Sequence, residues 1–255
     1  MVNQSVLKLA AEEIAQANLL VVLSGAGISK ESGVPTFRDA QDGLWSRYDP
    51  QELATPAAFR RNPDLVWSWY MYRANLVSSA APNPGHFALA ELETVIPKIV
   101  ILTQNVDGLH EQAGSNDIIE LHGRLGRWKC FANCRGTPTV IDLAQIEYDA
   151  EHAPKCPYCT DRLRPDVVWF GEQLPTNALD RALEVAQQCD VMLVVGTSGV
   201  VEPAASLPQI ARSAEAKVIE VNPEPSMITA DANFFLQGKS GEILPALVEA
   251  VRAQA

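Results

Sequence analysis

Four cysteines stand out as groups able to do chemistry. Cys130 and Cys134 are separated by three residues and Cys156 and Cys159 by two, with twenty-one residues between the pairs. Two turns with that spacing can present four thiolates to one tetrahedral Zn²⁺. Sulfur at all four positions leaves no open coordination site, so the ion would be structural and would not activate water. The other reading, four free buried thiols, would leave the segment 127–165 with little to hold it folded. Cys189, which precedes Asp190 and an apolar run, reads as a small buried hydrophobe.

His122, in Leu121-His122-Gly123, carries the side chain whose ordinary pKa suits proton transfer near neutrality. A histidine before glycine, after the short apolar run Ile118–Leu121, is placed to project into a cleft. His86 and His152 read as structural. The run Thr103-Gln104-Asn105-Val106-Asp107-Gly108-Leu109-His110 adds an amide and a carboxylate that can fix a ring by hydrogen bonds. An Asx turn at Asp107-Gly108 would also account for that pair. In Ser24-Gly25-Ala26-Gly27, small residues let backbone amides approach a pyrophosphate, or make a tight strand-to-helix turn without any ligand. Lys30 stands where a dehydrogenase fingerprint has its third glycine, and no acidic residue follows about 20 positions on in the usual context, which disfavours an oxidoreductase.

Positioning these groups requires a scaffold of strands. Leu19–Leu23, Ile99–Leu102, Val191–Val195 and Lys217–Val221 are short runs rich in Val and Ile, and they predict a parallel, doubly wound sheet. Helical spacing over Ser5–Ala17, Pro84–Val95, Ala178–Gln188, Pro203–Ser213 and Glu242–Ala253 completes an α/β, Rossmann-like pattern. The strands run into SGAG, TQN, GTS and NPE, and ligands of open α/β sheets bind beyond such ends. Amides, a carboxylate and an imidazole are thus expected at one crevice.

Two stretches interrupt the alternation. Residues 38–97 form an aromatic-rich helical insertion with a helix expected over Asp64–Ser78, and residues 127–165 form the cysteine module. Together they predict a smaller lobe beside a main domain of 1–37, 98–126 and 166–255. The polar, proline-broken segment Ile28–Asp39 predicts a loop that closes over a ligand.

The formal charge of −11 repels a phosphate backbone, which argues against sequence-specific nucleic-acid binding, while it tolerates lysine-rich protein partners. No run approaches the ~20 apolar residues of a membrane helix, and acids stand where a signal peptide has bases, so a cytoplasmic protein is expected. The sequence leaves the oligomeric state open and is compatible with a monomer.

Taken together, GAGISKESGVPTFR, TQNVDGLH, LHG, WFGE, GTS and VNPE resemble the sirtuins, NAD-dependent protein deacylases, over nearly the whole chain. The resemblance implies that an acyl-lysine carbonyl oxygen attacks C1′ of the nicotinamide ribose and expels nicotinamide. His122 then acts as general base on a ribose hydroxyl, and lysine and O-acyl-ADP-ribose leave. It further implies that Asn105 and Asp107 hold the carboxamide and ribose. Gly25, Ala26, Gly27, Ser29, Thr36, Phe37, Arg38 and Gln104 would meet the dinucleotide. Gly196, Thr197 and Ser198 would meet ribose and phosphate groups, Asn222, Pro223 and Glu224 the adenosine ribose, and Ser240 the adenine.

Val168, Trp169, Phe170 and Gly171 resemble the strand that pairs with the substrate backbone and lines the lysine tunnel, with Gly199–Glu202 opposite. Ala54, Tyr70 and Arg73 resemble the branch that removes succinyl, malonyl and glutaryl groups. The small alanine makes room there, while the phenol and guanidinium, three residues apart on a helix, grip the acyl carboxylate. A solvated helix face is the other reading of that pair. The partners implied are acylated-lysine proteins, the co-substrate NAD and one structural zinc ion. Mono-ADP-ribosyl transfer and a non-catalytic NAD- or acyl-lysine-binding module stay open.

Overall fold

The computed structural model describes residues 3–35 and 48–254, so Thr36, Phe37 and Arg38 lie outside the described residues. Strands are β1 (Leu19–Ser24), β2 (Lys98–Thr103), β3 (Ile118–Glu120), β4 (Gly123–Cys130), β5 (Val140–Ile141), β6 (Leu163–Val167), β7 (Val191–Val195), β8 (Lys217–Asn222) and β9 (Phe234–Gln237). Helices are α1 (Gln4–Ala15), α2 (Ala26–Ser29), α3 (Pro50–Leu53), α4 (Pro56–Arg61), α5 (Pro63–Ser78), α6 (Pro84–Leu92), α7 (Leu109–Gln112), α8 (Thr176–Gln188), α9 (Leu207–Ser213) and α10 (Ser240–Arg252). No helix among the described residues is long and apolar enough to cross a membrane.

The chain divides into two compact units. The larger one comprises Met1–Thr36, Ala81–Leu121 and Pro175–Ala255. Its sheet has the order β3-β2-β1-β7-β8-β9, with every adjacent pair parallel. β1 and β7 are apolar along almost their whole length because neighbouring strands and helices bury both faces. Strand order reverses between them, so the Ser24 end of β1 and the Val195 end of β7 mark the switch point where a crevice opens. One core of Leu20, Val22, Leu193, Ile219, Leu247 and their neighbours supports this unit. Each fully buried side chain of this size stabilises by roughly 1.5–3 kcal/mol.

The expected strands and helices form within two or three residues of the predicted bounds, except that α9 starts four residues after the expected Pro203, behind a 3₁₀ turn over Ala204–Ser206. The sixth strand, β9, carried no such signal, because Phe234-Phe235-Leu236-Gln237 is short and lies at the sheet edge. Helix α6, expected in the helical insertion, belongs to the larger unit and packs against α10. Its start is set locally: the Asn83 side chain accepts from Gly85 N–H, and His86 Nδ1 accepts from Asn83 N–H.

The smaller unit comprises Phe37–Ala80 and His122–Leu174 and joins the two interrupting stretches. Its sheet, β5-β4-β6, is antiparallel, and Pro165 is tolerated because β6 is an edge strand. The aromatic residues of the first stretch fill the core of the second. Trp67 packs against Trp128 with centroids 4.5 Å apart and rings tilted by 46°, and its indole donates to Asp149 O at 2.9 Å. Phe59 lies 5.1 Å from Phe131 and 5.3 Å from Trp169. The weak hydrophobic periodicity of 127–165 thus reflects a module whose core is largely supplied by α4 and α5.

Candidate active-site residues and metal centre

In the larger unit the turn after β1 meets the turn after β7. Gly25 N–H donates to Val195 O at 2.9 Å and Gly27 N–H to Gly196 O at 2.8 Å. A Cβ on Gly27 would fall 2.6 Å from Gly196 O, and one on Gly25 2.8 Å from the same oxygen. These two glycines are therefore required by backbone against backbone, a cause the sequence could not separate from approach to a phosphate. The expected closing loop begins with α2 and a 3₁₀ turn over Lys30–Ser32, and is described as far as Pro35.

Asn105 and Asp107, beyond β2, are 8% and 7% exposed and belong to one hydrogen-bonded set. The Asn105 amide donates to Gly25 O at 3.1 Å and to Ser29 Oγ at 3.0 Å, which uses both its N–H bonds and leaves its carbonyl oxygen as the atom it offers. The Ser29 hydroxyl donates to Asp107 Oδ2 at 2.7 Å, while Oδ1 accepts from Leu109 N–H. The Asx turn therefore forms, together with a carboxylate link that such a turn does not need. Gln104 donates to Thr197 Oγ1 and Asn222 to Thr197 O, drawing together the ends of β2, β7 and β8. Ala26, Ser198, Pro223 and Glu224 are exposed, and Gly27, Gly196 and Asn222 partly so.

Several supporting residues carried no sequence signal, because their partners are remote. Glu31 accepts from Ser240 Oγ at 2.9 Å and from Gly241 N–H at 3.0 Å, so Ser240 is buried against a carboxylate. Glu220, fully buried, accepts from Asn222 Nδ2 and from Thr229 Oγ1. His110 contacts Ser24 Oγ at 2.8 Å through Nε2. With that hydroxyl donating to Thr103 Oγ1, the ring donates from Nε2 and its Nδ1 is buried without a hydrogen-bond partner among the described residues. Burial pushes the His110 pKa down to about 3, with neighbouring His86 acting in the same sense. Burial likewise lowers His86 to about 4, against the opposing charges of Asp107 and Glu31. Both rings are neutral at pH 7, while His152 pairs with Asp149 on the surface.

In the smaller unit His122 is partly exposed and precedes β4, and its backbone oxygen accepts from Val168 N–H at 2.9 Å. Gly123 has φ +78°, and a Cβ there would lie 2.1 Å from Asp166 O. The glycine is thus obligatory for the turn that presents His122.

Ala54, Tyr70 and Arg73 are 3%, 3% and 8% exposed, so Tyr70 and Arg73 do not form a solvated helix face. The Arg73 guanidinium lies over Trp69, 5.1 Å from its centroid. Burial lowers its pKa, and the adjacent phenols Tyr70 and Tyr72 oppose that shift. Burial raises Tyr70 to about 12 despite Arg73.

Val168–Gly171, expected to pair with a substrate backbone, lie just beyond the last strand of their sheet. β6 stops at Val167, and Trp169–Glu172 make a turn in which Gly171 has φ +85° and Glu172 N–H donates to Trp169 O. Trp169 is 1% exposed, and its indole donates to Tyr70 Oη at 2.9 Å. Phe170 is exposed, and its N–H donates to Ala54 O at 2.9 Å, joining the two expected substrate segments. Gly199–Glu202 is not a strand either; Glu202 accepts from Ser206 Oγ, four residues on.

The four paired cysteines come together, with all Sγ atoms within 4.8 Å of one another. Cys130 and Cys159 are 3.6 Å apart and Cys134 and Cys156 3.8 Å. A tetrahedron of Zn–S bonds of about 2.3 Å has edges of about 3.8 Å, so the residues fit one zinc ion. The three-residue spacing is accommodated at Asn133, which has φ +48° and whose side chain accepts from Thr139 N–H. Cys189 is separate and 4% exposed.

Comparison with known proteins agrees with this construction. Residues 25–203 match the Sir2 family. NAD-dependent protein deacylase 2 of Pyrobaculum aerophilum is 53% identical over 242 residues, covering 95% of this chain and 94% of that protein. The NAD-dependent protein deacylase of Ralstonia nicotianae is 50% identical over 235 residues, 92% of this chain and 93% of its own. Among solved structures, a Sir2 homologue–NAD complex superposes with a TM-score of 0.87 at 45% identity, covering 99% of this chain and 94% of that one. Sir2Af2 bound to a myristoylated histone peptide gives a TM-score of 0.78 at 36% identity, over 99% and 98%. With the family match spanning more than half its length and relatives near 50% identity along almost all of it, the chain belongs to the Sir2 family.

Proposed function

We propose that this chain is an NAD-dependent protein-lysine deacylase that acts on acylated proteins, including those whose acyl chain ends in a carboxylate. The observation that carries the reading is the buried Asn105–Ser29–Asp107 set at the carboxyl end of β2. It offers one fixed carbonyl acceptor beside a carboxylate, the complement of a carboxamide N–H₂ and a ribose hydroxyl. NAD supplies the electrophilic ribose carbon and the leaving nicotinamide. The carboxylate of Asp107, held by Ser29 and Leu109 N–H, favours the positive charge that builds at that ribose as the bond breaks. His122, partly exposed on a turn that only Gly123 permits, takes the proton from a ribose hydroxyl so that it can capture the acyl group. The four-cysteine cluster supplies rigidity and no chemistry, because a zinc ion there has no open position.

The acidic acyl class is supported by the environment of Tyr70 and Arg73. A buried planar guanidinium and a phenol kept protonated by burial present donors only, which suits a carboxylate. Ala54, also buried, adds little bulk. The test is incubation with NAD and matched acetyl- and succinyl-lysine peptides, following nicotinamide, acyl-ADP-ribose and free lysine by mass spectrometry. Equal amounts of the three products are expected, with turnover by His122→Ala lower by about 10²-fold or more. ADP-ribose retained on protein with no deacylated peptide would overturn the reading in favour of ADP-ribosyl transfer.

A further inference from the structure

Trp169 is built into the smaller unit more firmly than a wall residue needs. Its ring face carries the Arg164 guanidinium 3.2 Å from the centroid, and Phe59 packs on it at 5.3 Å. Its backbone N–H donates to Glu172 Oε2 at 2.9 Å. Arg164, itself 3% exposed, forks onto both Glu172 oxygens at 2.5 and 3.0 Å and donates to Val167 O at 2.8 Å. This charged clamp fixes the indole plane, and with it the direction of the one polar bond the indole has.

That bond ends on Tyr70 Oη, 2.9 Å away, with the two rings inclined at 28°. An indole N–H can only donate, so the phenol oxygen is the acceptor and its own proton must point elsewhere. The nearby cations Arg73 and Arg164 are also donors only, and no hydrogen bond from the Tyr70 hydroxyl is made among the described residues. From this we propose that Trp169 is a positioning residue for acyl specificity: it occupies the acceptor side of Tyr70, so that the phenol offers a proton and the site selects acyl chains ending in a hydrogen-bond acceptor. The inference rests on the acidic-acyl reading above and extends it by naming what makes Tyr70 a donor. It also accounts for a tryptophan at this position in place of a purely apolar aromatic residue, since a phenylalanine would pack on Arg164 and Phe59 without polarising the phenol.

A double-mutant cycle tests it, with kcat and KM measured on succinyl- and acetyl-lysine peptides for the parent, Trp169→Phe, Tyr70→Phe and the double variant. Trp169→Phe keeps the stacked ring and removes the donor. It is expected to lower the succinyl-to-acetyl ratio of kcat/KM by roughly three- to tenfold, mainly through KM, with no further fall in a Tyr70→Phe background. Additive losses would show that Trp169 does not act through Tyr70, and an unchanged ratio would show that it does not set specificity; either overturns the inference while leaving the acidic-acyl reading standing. A parent enzyme with no preference for succinyl over acetyl would instead remove that reading, and the inference with it. If Trp169→Phe fails to fold, ¹⁵N-tryptophan labelling of the parent decides. The Trp169 indole N–H resonance should shift upfield on Tyr70→Phe, and a resonance that does not respond overturns the proposal.

Discussion

At the scale of single residues, a side chain acts through what its neighbours leave it to do. Asn105 spends both N–H bonds on Gly25 and Ser29, so only its oxygen is on offer. Tyr70 accepts from Trp169, so its proton is on offer. Arg73 differs in kind: it brings charge. A hydrogen bond to a charged group is worth about 1.5–3 kcal/mol, so Arg73→Met should lower kcat/KM for a succinyl peptide by roughly ten- to a hundredfold while acetyl turnover changes little. Equal losses on both peptides would make Arg73 a stabilising residue of α5 and nothing more. His122→Ala should reduce turnover by about 10²-fold or more while NAD affinity, read by calorimetry, stays within about twofold. His122 was legible in the sequence because Gly123 follows it; the clamp on Trp169 was not, because Arg164, Glu172 and Tyr70 lie five residues before, three after and ninety-nine before it.

At the scale of elements, the two units are held by different means. The larger needs only its apolar strands and amphipathic helices, and these were readable from periodicity. The smaller is a three-stranded sheet with an aromatic core and a cysteine cluster. Removing metal with a chelator should therefore unfold 127–165, release about one zinc ion per chain and expose Trp67 and Trp128, which pack against each other. A red shift of tryptophan fluorescence, with far-ultraviolet dichroism of the helices largely kept, is the expected signature; Cys156→Ser should behave as the chelated protein does. Unchanged fluorescence at full zinc loss would show that the aromatic core alone holds the module.

At the scale of the whole molecule, buried titratable groups set the response to pH. The neutral folded rings of His86 and His110 have pKa values near 4 and 3, against about 6.5 when exposed to water. Between those limits the unfolded chain binds more protons, so stability rises with pH up to about 6.5 and levels off above it. Acidification from pH 6.5 towards 4 should lower the melting temperature, with uptake of up to about two protons on unfolding from these rings. Replacing His110 with a neutral residue of similar size should flatten that dependence, and an unaltered slope would assign it to other groups. The charge of −11 belongs to this scale too: any attraction it exerts on lysine-rich segments should weaken as salt is added.

The sequence by itself determined the class of fold, the main parallel strands, the cysteines that cluster and the principal candidate residues. Each of these rests on local pattern: an apolar period, a cysteine spacing, a glycine where the backbone must turn. Tertiary structure alone decided that the glycines of the first turn answer to Gly196, that α6 belongs with α10, and that the Trp169 indole bonds to Tyr70. The physical reason is the same in every case. Hydrogen bonds and close contacts between groups tens of residues apart depend on distance in space, and a pattern confined to neighbouring positions carries no record of that distance.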